Sequence, residues 1–112
     1  MRIAIPLTGG KLSPHFGHCE CFAFIDVDRT SRKILGRSDV DAPPHQPGML
    51  PSWLRERDVE MILAGGMGVR AREFFDQMGI EVLVGAPPEN PEHLVRSWLD
   101  GNLSLGPNVC DH

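Results

Sequence analysis

The chain has 112 residues, enough for one modest domain, and its 41% hydrophobic and 23% charged residues are ordinary for a folded protein. The net charge is -4 with dispersed basic residues, which argues against nucleic acid or an anionic membrane as partner, because both attract basic clusters. No apolar stretch is long enough to span a bilayer, and the amino terminus lacks a signal-peptide pattern. We therefore expect a cytoplasmic protein whose three cysteines stay reduced.

The first half of the chain predicts strands separated by loops. Residues 2–6 form an apolar segment typical of a buried strand, which we expect its proline to end. Residues 8–17 carry glycines and a proline and predict a loop. Segments 22–28 and 33–40 are rich in strand formers and flank a polar turn, so they predict a hairpin. Three prolines then predict a second loop at 41–48.

The second half of the chain predicts alternating helices and strands. In chain order the patterns indicate a helix at 50–57, a strand at 59–64, a helix at 71–78 and a strand at 80–84. A last helix is expected to begin after the capping residue Asn90 and to end at Gly101. In the middle helix, Phe74 and Phe75 are expected to lie together on the buried face.

The order of these elements predicts an α/β fold, namely a mixed five-stranded sheet with helices on its faces. We expect residues 1–102 to form the single domain. Residues 103–112 lack periodicity and are predicted to form a carboxyl-terminal tail that carries a Cys-x-His motif.

Most of the residues that could bind a metal fall outside the predicted helices and strands. They lie in the first loop, in the proline-rich loop and in the tail: His15, His18, Cys19, Cys21, His45, Cys110 and His112. Thiolate and imidazole ligands suit Zn, Cu(I), Fe or iron–sulfur species rather than Mg or Ca. The sequence therefore predicts a metal centre, provided that one sheet edge brings these segments together.

The ligand prediction has structural alternatives. Cys19 and Cys21 would point to one side if their segment is extended, but the Cys-x-Cys spacing is a weak signal. Both thiols are also compatible with a role as small core residues at the start of a strand. His45 is compatible with a solvated loop residue, and His112 with a disordered terminus.

A glycine-rich turn, Gly65-Gly66-Met67-Gly68, is the second candidate site. It follows a predicted strand and precedes a helix, so its backbone N–H groups could bind an anion. The alternative is structural, because glycine permits a tight turn where a Cβ atom would clash. The turn lacks the full dinucleotide fingerprint and the phosphate-loop lysine.

Several segments together carry a family resemblance. They are Ile3-Ala4-Ile5-Pro6, Ser13-Pro14-His15-Phe16-Gly17, Ile62-Leu63-Ala64-Gly65-Gly66-Met67-Gly68, Met78-Gly79-Ile80-Glu81-Val82 and Leu99-Asp100-Gly101. In their order and spread the chain resembles the NifX/NifB-type family of dinitrogenase iron–molybdenum cofactor biosynthesis proteins. The thiols at Cys19 and Cys21 are not general to that family, and the Cys-x-His tail recurs in some members only.

The resemblance implies a ribonuclease H-like fold and a non-enzymatic role related to nitrogen fixation. It implies that the domain binds or carries an iron–sulfur or molybdenum-containing cluster, with His15 and the Gly65–Gly68 turn facing it. Metallocluster assembly proteins would be the partners, and the chain would be a monomer or homodimer. Two alternatives stay open: a structural or regulatory domain holding a single Zn or Fe ion, and a non-metal module that binds an anion or nucleotide.

Overall fold

A computed structural model describes residues 1–43 and 49–108. Within these ranges the strands are β1 (Arg2–Thr8), β2 (Lys11–Leu12), β3 (Cys21–Asp28), β4 (Lys33–Asp41), β5 (Met61–Leu63) and β6 (Glu81–Leu83). The α-helices are α1 (Met49–Arg55), α2 (Val69–Gln77) and α3 (Pro91–Leu99), and a short 3-10 helix spans Phe16–His18.

The strands form one mixed sheet in the order β4-β3-β1-β5-β6. The β1, β3 and β4 strands are antiparallel neighbours, whereas β5 and β6 run parallel to β1. The predicted mixed α/β sheet is therefore confirmed, but the prediction of five strands is wrong. The sixth strand, β2, pairs with the end of β1 through a tight turn at Gly9 and Gly10, both of which have positive φ. Its two residues are too few to produce a periodic pattern.

The first strand is longer than expected, because Pro6 does not end it. Pro6 lies opposite Phe22 in the antiparallel ladder, and β1 continues to Thr8. Proline cannot donate a backbone hydrogen bond, but its carbonyl oxygen accepts one from the Ser13 N–H at 2.8 Å. This bond folds the first loop back along β1.

Each face of the sheet carries its own hydrophobic cluster. Alternation along β1 sends Ile3 and Ile5 to a first cluster, which α3 covers with Leu94 and Val95. Ala4 lies in a second cluster, which α1 and α2 cover. Both faces of the central strand are thus buried, which explains why β1 is apolar throughout rather than alternating with polar residues.

The buried stripe of α2 is narrower than predicted. Phe75 is fully buried, but Phe74 is 43% exposed, so the two do not share the buried face. The last helix agrees with its prediction at both ends. The Asn90 side chain accepts a hydrogen bond from the Glu92 N–H at 2.9 Å, and Gly101 follows the helix with a φ of 75°.

Residues 102–108, called the strap below, follow α3 without regular secondary structure. Leu103 packs against the first cluster, and the Gly106 N–H donates to the carbonyl oxygen of Gly85 at 2.8 Å. The strap therefore crosses the end of β6. In the part of the chain that the structure describes, no helix is both long and apolar enough to cross a membrane.

Candidate functional site

The first loop is held in place by a buried aromatic ring. Phe16 packs edge-on against Phe22 and Phe75, with ring centroids 5.9 and 5.6 Å away. The buried Ser13 hydroxyl donates to the carbonyl oxygen of His15 at 3.1 Å, which fixes the loop just before this ring. The loop is thus anchored from the core side.

The two histidines of this loop lie on its outer side. His15 and His18 are exposed, and their rings are nearly perpendicular, with centroids 6.5 Å apart. The 3-10 helix Phe16–His18 produces this proximity, because three residues per turn return the chain to the same side. The loop therefore presents two neighbouring imidazoles.

The two thiols of the loop segment do not point the same way, so the expectation of a shared side is wrong. Cys19 packs against the second hydrophobic cluster and Cys21 against the first. Cys21 begins β3 opposite Leu7, so its side chain follows the first face of the sheet, whereas Cys19 precedes the strand. Both are half-buried.

The surroundings of both thiols favour the protonated form. Burial raises the pKa of the Cys19 thiol to about 11. Burial also raises the pKa of Cys21, and the carboxylates of Asp39, Asp41 and Glu20 add to this effect. A metal that binds either sulfur must therefore displace a proton.

A cavity of about 330 Å³ opens beside the first loop. Its lining comes from the loop, the end of β4 and the start of α1: Gly17, His18, Cys19, Glu20, Ala42, Pro43 and Leu50. Cys21 does not contribute to this lining. Cys19 therefore adjoins a space that a ligand could enter.

The glycine turn packs directly against the first loop. Gly65 approaches the loop so closely that a Cβ atom would lie 3.3 Å from the Pro14 Cα and 3.2 Å from a Leu12 methyl carbon. The Phe16 N–H also donates to the carbonyl oxygen of Gly66 at 3.3 Å. The two candidate regions thus form one continuous edge, and Gly65 has the structural role that its alternative predicts.

The backbone amides of this turn differ in their partners. Among residues 1–43 and 49–108, the N–H groups of Gly66 and Gly68 donate to no protein acceptor, although Gly66 is buried. The Met67 N–H donates to Oδ1 of Asn108 at 3.0 Å, and Nδ2 of Asn108 donates to the Met67 carbonyl oxygen at 3.0 Å. The turn therefore combines two amides that have no acceptor among the described residues with the Met67 amide, which is bound by a side chain of the strap.

Sequence reasoning missed Asn108. An asparagine in an aperiodic tail has no pattern that predicts a partner more than forty residues away. Only the path of the strap across β6 brings it to the turn. Gly85, where a side chain would collide with Gly106 of the strap, was missed for the same reason.

The predicted ligand set is brought together only in part. His15, His18 and Cys19 share the first loop, which adjoins the glycine turn, but His45, Cys110 and His112 lie outside the described residues. Within residues 1–43 and 49–108, no three His, Cys, Asp or Glu side chains are grouped as a metal site. The identity of the ligands stays a prediction.

Comparison with known proteins gives matches over nearly the whole chain. The family model described as "Dinitrogenase iron-molybdenum cofactor" matches residues 1–101. The uncharacterized protein MJ0580 of Methanocaldococcus jannaschii is 26% identical over 106 residues, which cover 92% of this chain and 89% of that protein.

Solved structures have the same architecture. The crystal structure of PH0822 superimposes with a TM-score of 0.86 at 28% identity, covering 94% of each chain. The apo form of the orange protein from Desulfovibrio gigas gives a TM-score of 0.73 at 23% identity, covering 96% of this chain and 93% of that one. At this identity the second similarity establishes a common fold only.

Proposed function

Because the chain belongs to the dinitrogenase iron–molybdenum cofactor family, we propose that it binds and carries an iron–sulfur or iron–molybdenum-type cluster, or its precursor. The cluster is cargo, received from and passed to assembly proteins of the cytoplasm, and the chain catalyses no reaction on it. One observation carries the proposal: the histidine-bearing first loop and the glycine turn pack together as one edge.

The glycine turn suits an anionic cluster. The N–H groups of Gly66 and Gly68, which have no acceptor in the described parts of the chain, could donate to sulfide. Hydrogen bonds from backbone amides to an anion are stronger than those between neutral groups. Such bonds to cluster sulfurs also influence its reduction potential. The turn can therefore hold a preassembled cluster without forming a covalent bond to it.

The first loop adds the groups that could bind metal directly. His15 and His18 are exposed neighbours, and Cys19 adjoins the cavity beside them. Cys21 is less suited to an anionic cluster because carboxylates surround it. His45, Cys110 and His112 remain in the proposed ligand set, and Cys110 follows Asn108 by two positions in the sequence.

The test is reconstitution of the anaerobically purified protein with ferrous iron, sulfide and molybdate. Bound iron, molybdenum and acid-labile sulfide are measured after gel filtration. We expect His15→Ala and Cys19→Ala each to weaken retention about tenfold, as loss of a ligand or its support does in metal sites. His93→Ala is the matched control, because His93 is an exposed histidine of α3 that pairs with Glu89. Absence of bound metal in the wild-type chain would contradict the proposal.

The same measurement separates the two alternatives. A single Zn or Fe ion would give metal without acid-labile sulfide, and chelation would then lower the melting temperature. The cavity lined by His18, Cys19 and Glu20 is the observation that favours this alternative. A non-metal anion module would bind phosphate-type ligands, and His15→Ala and Cys19→Ala would leave that binding unchanged.

We further propose that the sheet has ribonuclease H-like topology, with residues 1–102 as the domain and 103–112 as its tail. The proposal is supported by the strand order β4-β3-β1-β5-β6 and by the direction of each strand. Truncation after residue 102 tests the division, since an independent domain would still unfold in one cooperative step.

A further inference from the structure

The side-chain carboxamide of Asn108 forms two hydrogen bonds with the backbone of Met67, in the same pattern as a residue of a paired β-strand. Its carboxamide oxygen accepts from the Met67 N–H and its amino group donates to the Met67 carbonyl oxygen, both at 3.0 Å. Met67 is 1% exposed, so these two bonds lie at a largely buried residue. They place an oxygen acceptor on the very turn that is proposed to donate to a ligand.

The strap that carries Asn108 is anchored before it reaches the turn. Gly85 has a φ of 86°, and a Cβ atom there would lie 2.0 Å from the carbonyl oxygen of Gly106. This close approach and the bond from Gly106 to Gly85 fix the middle of the strap. Asn108 lies two residues beyond this fixed point, so its bonds can open while Gly106 stays in place.

We propose that Asn108 is a latch that competes with the bound cluster for the Met67 amide. The inference rests on the proposed function, since the competitor is the anionic ligand of the glycine turn. In the latched state the Oδ1 atom of Asn108 occupies the position of an acceptor atom of the ligand. Ligand binding and latch opening are then one coupled equilibrium, and the latch favours release of the cargo.

The coupling has a sign and a size. A ligand that takes the Met67 N–H must first break both bonds of the latch, and this requirement weakens its binding. Loss of the latch should therefore lower the Kd of the ligand. We expect a decrease of about tenfold, because the ligand replaces only part of the hydrogen bonding that the latch loses.

The experiment uses tetrathiomolybdate, a coloured molybdenum–sulfide dianion, titrated into the full-length protein and followed by absorbance and by amide NMR. Asn108→Ala removes the latch but keeps Cys110 and His112. We expect about tenfold tighter binding and faster hydrogen exchange at the Met67 amide. Asn102→Ala is the matched control, because Asn102 is an exposed asparagine at the start of the same strap. It should change neither quantity.

The outcomes are distinct. If the wild type binds tetrathiomolybdate and Asn108→Ala binds it equally or more weakly, the latch is wrong while the proposed function stands. If no variant binds it or the iron–sulfide mixture, the proposed function fails and the latch fails with it. Should Asn108→Ala not fold, the wild-type Asn108 side-chain NH₂ signals decide: the latch requires them to shift on titration to those of a solvated amide, and unchanged signals would overturn it.

Discussion

The first loop and the glycine turn lie against one another, yet they offer a ligand different chemistry. The loop presents side chains, with His15 and His18 outside and Cys19 beside a cavity. The turn presents its backbone, because the N–H groups of Gly66 and Gly68 have no acceptor among the described residues. Side-chain ligands discriminate between metals, whereas backbone amides recognise negative charge of many kinds. The pairing suits cargo that is recognised as a metal species but must be released.

The difference also concerns how each region is held. The loop is anchored by the burial of Phe16, and the turn by close backbone contacts at Gly65 and Gly85. Damage to the loop should therefore act through lost apolar contact, and damage to the turn through steric overlap. The predictions below separate these two causes.

The largest effect is expected from Phe16→Ala, which removes the anchor of the first loop. Phe16 is 6% exposed and packs on two other rings, so its loss should lower the free energy of unfolding by about 4 kcal/mol. Urea denaturation measures this. Phe74→Ala is the control, since Phe74 is 43% exposed and its loss should cost below about 1 kcal/mol. Equal costs would show that the loop is not anchored by this ring.

Gly85→Ala should come next, at about 3 kcal/mol of lost stability. The methyl group would overlap the Gly106 carbonyl and force the strap to move, in addition to the strain of positive φ. Gly101→Ala shares a positive φ but meets no atom within 4 Å, so it should cost only about 1 kcal/mol. Thermal melts of both variants measure the difference, and similar melting temperatures would contradict the steric explanation.

Gly65→Ala tests the contact between the two regions. Its new methyl group would press on Leu12 and Pro14, so we expect about 1.5 kcal/mol of destabilisation and weaker cluster retention as the loop shifts. Gly36→Ala serves as the control, because a Cβ atom there meets nothing within 4 Å. Reconstitution and urea denaturation are the measurements. Full cluster retention in Gly65→Ala would mean that the two regions act separately.

The smallest effect is a pH dependence that originates at Cys19. Burial raises the pKa of its thiol to about 11 in the folded chain, above its ordinary value near 9. The resulting stability is fully present below about pH 9 and is lost as the pH rises through 11, because the unfolded chain then releases the proton more easily.

Because the Cys19 thiol is only half-buried, solvent reduces its contribution to the free energy of unfolding to about 1 kcal/mol. Unfolding free energies of wild type and Cys19→Ala, measured between about pH 8 and pH 11, should converge as the pH rises. A constant difference over that range would show that burial does not perturb this thiol.

The sequence predicts much of the fold because periodicity reports burial directly. The apolar run of β5, the capped helix α3 and the β3–β4 hairpin were all identifiable from local pattern. Two elements were not predicted correctly for physical reasons. Pro6 continues its strand because only its carbonyl is needed there, and β2 owes its pairing to a turn rather than to a pattern.

The site was less predictable than the fold. Residue type indicated His15, His18 and Cys19, and the glycine pattern between a strand and a helix indicated the Gly65–Gly68 turn. Cys19 and Cys21 pack on opposite faces of the sheet because β3 begins only at Cys21, and the sequence does not show where the strand begins. The hydrogen bonds of Asn108 depend on the path of the strap across the sheet, and no local sequence pattern predicts that path.

The central place of β1 has a consequence for the order of folding. Its antiparallel partner β3 lies close to it in the sequence. Its parallel partner β5 lies much further along the chain, since Ile3 pairs with Met61. Closing the longer loop costs more chain entropy, and contacts between distant residues slow folding. We expect the β1–β3–β4 meander to form early and the glycine turn to be completed last. The histidine loop would then be anchored only when the second half of the chain has folded, because Phe16 packs on Phe75 and its N–H donates to the carbonyl oxygen of Gly66.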